Sequence, residues 1–353
     1  MTSQFTRRRG AAFAGVVCIS TILNGCSAGP NRAGLYVSAP EGAPRWIDDT
    51  VGAPAWSASS KDLTWADERG LRTWNATDGQ VTLATTTPIV GRPAWSPDGQ
   101  AIAFLNKELS ALESLEVTTG EVTQLAPLFE GTNGGMAPPV VSRGGPAWSP
   151  DGSRIAFIGW DGEGDELYIV GPDGRSKHQL TALGVNQPAT GGSARSSVTS
   201  MAWSPDSKSL AVSVTAEVSG AVAGLFLIEL TSRSGTRISK TVVNAPLVWA
   251  PASTNLIYSA TIDGRSDVFR LPVNGGDARS VSDALPDGAR DAAVAEDGTL
   301  AVVSGRSVAV MPPGNQAAQF VELQGLSCIA PALSPDGRSL AFLALPRPVE
   351  RYP

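Results

Sequence analysis

Side chains that carry chemistry are scarce in this sequence. Histidine occurs once, at His178, and cysteine three times, at Cys18, Cys26 and Cys328. A single histidine excludes the HExxH zinc motif and multi-histidine metal sites, and a Ser-His-Asp triad would have only that one ring to use. No Gly-Lys pair begins a phosphate-binding loop. Aromatic residues make up 6% of the chain and charged residues 17%, and no helical heptads are visible. The apolar run from Gly10 to Leu23 is shorter than the roughly 20 residues that a membrane-spanning helix needs.

Turn formers are plentiful. Among 353 residues there are 38 glycines and 26 prolines, with a hydrophobic fraction of 42%. That combination suits many short strands joined by tight turns around a sizeable core. Arg7, Arg8 and Arg9 precede the apolar run, and Leu23-Asn24-Gly25-Cys26 ends it. This is the layout of an export signal. Its ending resembles the lipobox of bacterial lipoproteins, although Asn24 departs from the usual small residue. The resemblance implies a signal peptide at 1–25, lipid attachment at Cys26 and a tether over 26–33. Removing the signal takes away three positive charges and moves the net charge from -6 to -9. So acidic a domain is a poor partner for nucleic acid. Cys328 is then the one cysteine left for the fold, where a buried small hydrophobe is expected.

A repeat accounts for the rest. GRPAWSPDGQAIAF at 91–104 returns as GGPAWSPDGSRIAF at 144–157, and weaker copies put Trp56, Trp203, Trp249, Val294 and Leu333 in the same slot as Trp95 and Trp148. The seven anchors are spaced between 39 and 55 residues apart, the mark of a β-propeller with four-stranded blades. In each unit a first strand ends at the anchor, and Ser-Pro-Asp-Gly places Pro and Asp in a tight turn with Gly where φ must be positive. After Leu333 only two strands' worth of sequence remains, whereas GLYVSAPEGAPRWIDD at 34–49 reads as a third and fourth strand. The expectation is therefore an all-β propeller over 34–353 with seven antiparallel blades, the last built from both ends; six blades is the alternative.

Repeats such as PAWSPDGSRIAFIG followed by ELYIVGPDGRSKHQLT resemble the TolB-type propeller repeat. The layout is also similar to the propeller part of LpqB-type lipoproteins, without their additional domains. The resemblance implies a non-enzymatic envelope protein that binds other proteins, held by lipid on the outer side of the cell membrane and monomeric.

The recurring aspartates Asp98, Asp151, Asp206, Asp297 and Asp336 could suggest catalysis, but a catalytic carboxylate is needed once or as a pair, and a turn residue once per blade. Asp161, Glu163 and Asp165 alternate with glycines in a way that could wrap Ca²⁺, though the EF-hand pattern is not met. Two connections, Pro127 to Gly145 and Gly184 to Ser200, are much longer than the others and belong to one face. Long loops on a rigid scaffold tend to be functional. The candidate partner-binding residues are Phe129, Asn133, Met136, Arg143, Asn186, Gln187 and Arg195. An envelope polysaccharide hydrolase or lyase, or a small-ligand sensor using the channel, are the competing readings.

Overall fold

The computed structural model describes residues 32–346 apart from 40–41, 108–109, 130–143, 162–164, 183–195, 217–222, 242, 244–245, 252–253 and 315–316. Two strands come first, β1 (Gly34–Ser38) and β2 (Arg45–Asp48). Blade 1 follows as β3 (Ala55–Trp56), β4 (Asp62–Asp67), β5 (Gly70–Asn75) and β6 (Val81–Thr85). Blade 2 is β7 (Ile89–Trp95), β8 (Ala101–Asn106), β9 (Ala111–Glu116) and β10 (Val122–Pro127). Blade 3 is β11 (Ala147–Trp148), β12 (Ile155–Trp160), β13 (Asp165–Val170) and β14 (His178–Gln179). Blade 4 is β15 (Ser196–Trp203), β16 (Ser209–Ala216), β17 (Gly224–Glu229) and β18 (Ser234–Ser239). Blade 5 is β19 (Val248–Trp249), β20 (Asn255–Ile262), β21 (Arg265–Pro272) and β22 (Arg279–Ser280). Blade 6 is β23 (Arg290–Val294), β24 (Leu300–Ser304), β25 (Ser307–Met311) and β26 (Gln319–Val321). The chain returns through β27 (Leu326–Leu333) and β28 (Leu340–Pro346).

Blade 7 joins the two ends of the chain. Its order is β2-β1-β28-β27, and Gly34–Ser38 pairs antiparallel with Leu340–Ala344. The first strand of every blade touches that of the next, and β27 touches β3, so the seven blades form a closed ring around a central channel. Six blades is thereby excluded. The core is not one mass but a set of seven apolar clusters, one at each blade boundary. Each blade's apolar faces can be buried only by its neighbours, which is why propellers close. Trp65, Phe104, Phe157, Tyr168, Tyr258 and Phe342 are among the largest fully buried side chains, and burying each of that size contributes roughly 1.5–3 kcal/mol. Cys328 lies in the cluster between blades 6 and 7 as a small hydrophobe, and burial pushes its thiol up to about 11.

The turn chemistry of the repeat is the one its residues suggest. Gly99, Gly152 and Gly337 each bond back to the serine three residues earlier and take φ near +70°. Ser96, Ser149, Ser204 and Ser334 donate to Asp98, Asp151, Asp206 and Asp336 at 2.6 Å, and each serine oxygen accepts the backbone N–H five residues on. The aspartates in turn accept a backbone N–H two residues on. Donation by the serine hydroxyl, foremost among the causes, holds these carboxyls below the usual range. The repeated Ser and Asp are thus bonded to one another and to their own hairpins.

Candidate functional site at the channel mouth

The strands that line the channel show a period of two. The residue immediately before each anchor keeps solvent contact, all but Ala332, and the residue two before it is buried, all but Met201. The third residue before the anchor is again in contact with solvent in every blade: Ala53, Arg92, Gly145, Ser200, Pro246, Asp291 and Ala330. Alternation in these strands separates the two packed faces of a blade: the anchors join the cluster shared with the preceding blade, and Ala147, Ala202, Val248 and Ala293 pack against the cluster shared with the next. The third position lies within or just before the innermost strand of each blade, where five blades carry a small residue and two carry charge, Arg92 and Asp291.

Local structure explains how these two are presented. Inner strands bulge at this level, between Val90 and Ala94, Arg290 and Ala292, and Ile329 and Ala332. A bulge re-aims a side chain and ends regular pairing. Asp291 takes φ +49°, as does Ala330 at the same position of the next blade, so the conformation belongs to the bulge. Between blades 2 and 3 the backbones approach so closely that a Cβ on Gly145 would lie 1.8 Å from the Arg92 carbonyl oxygen, and one on Gly91 2.2 Å from that of Gly144. Glycine there is a requirement of close approach.

Blades 2 and 6 are as far apart as two blades of seven can be, so Arg92 and Asp291 face one another across the opening. They are not in ion-pair contact, and neither side chain has a hydrogen-bond partner among the described residues. Burial pushes the Arg92 pKa down from its usual value while the charge of Asp291 pushes it back up. Arg92 is encircled by protein yet touched by solvent, which is what lining a channel entails. Arginine remains ionised regardless, so the mouth holds a fixed cation with no hydrogen-bond partner among the described residues.

Of the residues singled out from sequence, Phe129 is half-buried against the cluster between blades 2 and 3 and forms a bridge with Trp160. Its ring is part of the packing. Cys26, Asn133, Met136, Arg143, Asn186, Gln187, Arg195 and Glu163 lie outside the described residues. Asp161 accepts a 3.3 Å bond from Gln179, and Asp165 begins β13; among the described residues no three metal-ligating side chains gather in one place. His178 is exposed on β14, as a solvated outer-strand residue would be. Arg92 and Asp291 were not evident in the sequence, where Arg92 is one letter of a repeated strand. The available signal was register: in an aligned repeat, a charge stands where the other copies carry Ala, Gly, Ser or Pro.

On the opposite face, an open groove of about 630 Å³ runs between the hairpins of blades 2 and 3, lined by Asp98, Glu116, Glu121, Asp151 and Asp173. Two of these carboxylates, Asp98 and Asp151, are already committed to turns.

No protein-family model matches the chain. A segment is 30% identical over 143 residues to the uncharacterized peptidase YuxL of Bacillus subtilis, a match covering 38% of this chain and 19% of that protein. Among solved structures, a TolB from Agrobacterium tumefaciens superposes with a TM-score of 0.53 at 16% identity, covering 90% of this chain and all of the other. A structure from a study of two prolyl endopeptidases superposes with a TM-score of 0.54 at 15% identity, covering 88% of this chain and 50% of the enzyme. At these identities the structural likeness speaks for the propeller fold alone.

Proposed function

We propose that this protein is a cell-envelope lipoprotein, anchored through Cys26 on the outer side of the membrane, whose propeller is a non-enzymatic scaffold for binding another protein. The observation that carries the scaffold reading is geometric. In the closed ring the strand ends at Pro127, Ala147, Gln179 and Ser196 lie on the face on which the channel mouth opens, since each ends a fourth strand or begins the next first strand. The likeness to TolB supports the same reading. Anchoring rests on the sequence, on Arg7 to Arg9, the apolar run and Leu23 to Cys26. Acyl chains add about 0.8 kcal/mol per buried CH₂, so two or three on one residue give stable attachment.

The experiment has two arms. Labelled palmitate should enter the wild-type chain and not Cys26→Ser, with the variant lost from the membrane fraction; equal labelling of both removes the anchor from the proposal. Photo-crosslinking from positions in the two long connections should trap one protein reproducibly, and positions on the Pro-Asp-Gly hairpins should not. Equal trapping from both faces removes the scaffold face.

A second reading is favoured by the match to YuxL, namely a propeller that serves a peptidase. The Gly-x-Ser-x-Gly string of a hydrolase elbow does occur, at Gly25 to Gly29, but there it follows the apolar run and overlaps Cys26, where an elbow needs a strand before it and a helix after. Release of chromophore from peptide substrates by the purified chain, lost in Ser27→Ala, would replace the scaffold reading with this one.

A further inference from the structure

We propose that the channel mouth is a binding site for a carboxylate that carries a hydrogen-bond donor a few ångströms away, the pattern of an amino acid or the end of a peptide. Arg92 takes the carboxylate and Asp291 the donor. The site does not depend on the lipid anchor or on the scaffold reading.

Three observations converge on it. First, Arg92 and Asp291 are the only charged residues among seven equivalent ring positions, the others being Ala53, Gly145, Ser200, Pro246 and Ala330. A pair that merely closed the ring would gain most by touching, and these two do not. Second, Arg92 is half-buried and its guanidinium has no partner among the described residues. An arginine of this kind presents a planar fork of donors matched to a carboxylate, and its pairing gains strength in a confined, low-dielectric site. Third, the chain as a whole is acidic, at -6, so a diffuse positive surface does not explain anion binding. Asp291 opposite Arg92 brings the pair to neutrality. A dianion such as phosphate would meet repulsion there, and a ligand with both a carboxylate and an ammonium or amide N–H would satisfy both ends. The small neighbours leave room for the ligand's own atoms.

Binding of triglycine, triglycine amide and N-acetyl-triglycine to the purified full chain, followed by calorimetry, tests this. Triglycine should bind saturably and the amide, lacking the carboxylate, about tenfold more weakly or worse, as expected for the loss of a charge-assisted pair. Arg92→Met should weaken triglycine by the same factor and leave the amide unchanged. Asp291→Asn should weaken triglycine and spare N-acetyl-triglycine. Free glycine distinguishes the sources: affinity equal to that of triglycine indicates an amino acid, and tighter binding of triglycine indicates a peptide end. Should Arg92→Met fail to fold, Arg92→Lys keeps the charge without the fork and should fall between the two, and the probe series on the wild-type chain stands by itself. No saturable binding at millimolar triglycine, or equal affinity for the acid and the amide, overturns the proposal.

Discussion

Ser60 and Ser207 stand where four other hairpins of the ring have glycine, and both hold φ near +60°. An L-residue in that region costs roughly 1–2 kcal/mol, so their presence needs a reason. The hydroxyls supply one. Ser207 Oγ accepts the backbone N–H of Asp151 at 3.0 Å, and Ser60 Oγ that of Asp336 at 3.2 Å, each tying its hairpin to the hairpin of the preceding blade. Ser207→Ala keeps the strain and loses the bond, and should lower stability by about 1–2 kcal/mol in denaturant titration. Ser207→Gly loses the bond but relieves the strain, and should fall within about 0.5 kcal/mol of wild type. A Gly variant as damaged as the Ala variant would show that strain is not what serine endures there. The sequence suggested a looser copy of the turn at these positions, because the bond that explains serine joins residues 56 apart at Ser207 and 276 apart at Ser60.

At the scale of the strand and hairpin, the anchor tryptophans hold blades together. Trp203 Nε1 donates to the Ala147 carbonyl at 2.9 Å, Trp249 Nε1 to Ala202 at 2.9 Å, and Trp56 Nε1 to Ala332 at 3.1 Å. In every case the acceptor is the residue just before the anchor of the preceding blade. Trp95 and Trp148 make no such bond, and their indole N–H groups are buried without a partner. Trp203→Phe should therefore cost about 1–2 kcal/mol more than Trp148→Phe, since the first strands a carbonyl and the second removes an orphaned donor. Paired melting curves of the two variants check this, and equal losses would mean that packing alone is at work. A strand ending in Ala-Trp and a Pro-Asp-Gly turn after it were legible from sequence because both depend on neighbours within a few residues. Which tryptophans reach the next blade was not, because that depends on how two blades tilt against each other.

For the whole molecule, the four Ser-Asp hairpins act together on the response to acid. Their carboxyls are held below the usual range, first by the serine hydroxyls, so the folded chain binds these protons less readily than the unfolded chain. The stability this contributes is present in full above the unfolded value, near pH 4, and is lost as pH falls through the lower folded values. The groups lie near the surface, and solvent screening keeps each contribution under about 1 kcal/mol. Asp98→Asn should accordingly lower Tm at pH 7 and by less as the pH falls below 4; the same deficit at pH 7 and pH 3 would show that the charge is not involved. Closure itself works at this scale. Pairing of β1 with β28 and the stacking of Tyr36 on Phe342 complete the seventh blade, so that neither of these two long strands presents an open edge that could recruit another chain.

By itself the sequence determined the propeller of four-stranded blades, the turns and the strand order, because each follows from short-range patterns repeated along the chain: an apolar strand, Ser-Pro-Asp-Gly, another apolar strand; ring closure decided seven blades over six. The sequence also carried the export and lipidation reading, which concerns residues 1–26 alone. Only the tertiary structure decided that Phe129 belongs to the packing between blades and that Arg92 and Asp291 share one opening. Those two are 199 residues apart, and although each breaks the repeat with a charge, nothing local joins them. What brings them together is the closing of the ring, a property of seven blades packed in series and of no single one.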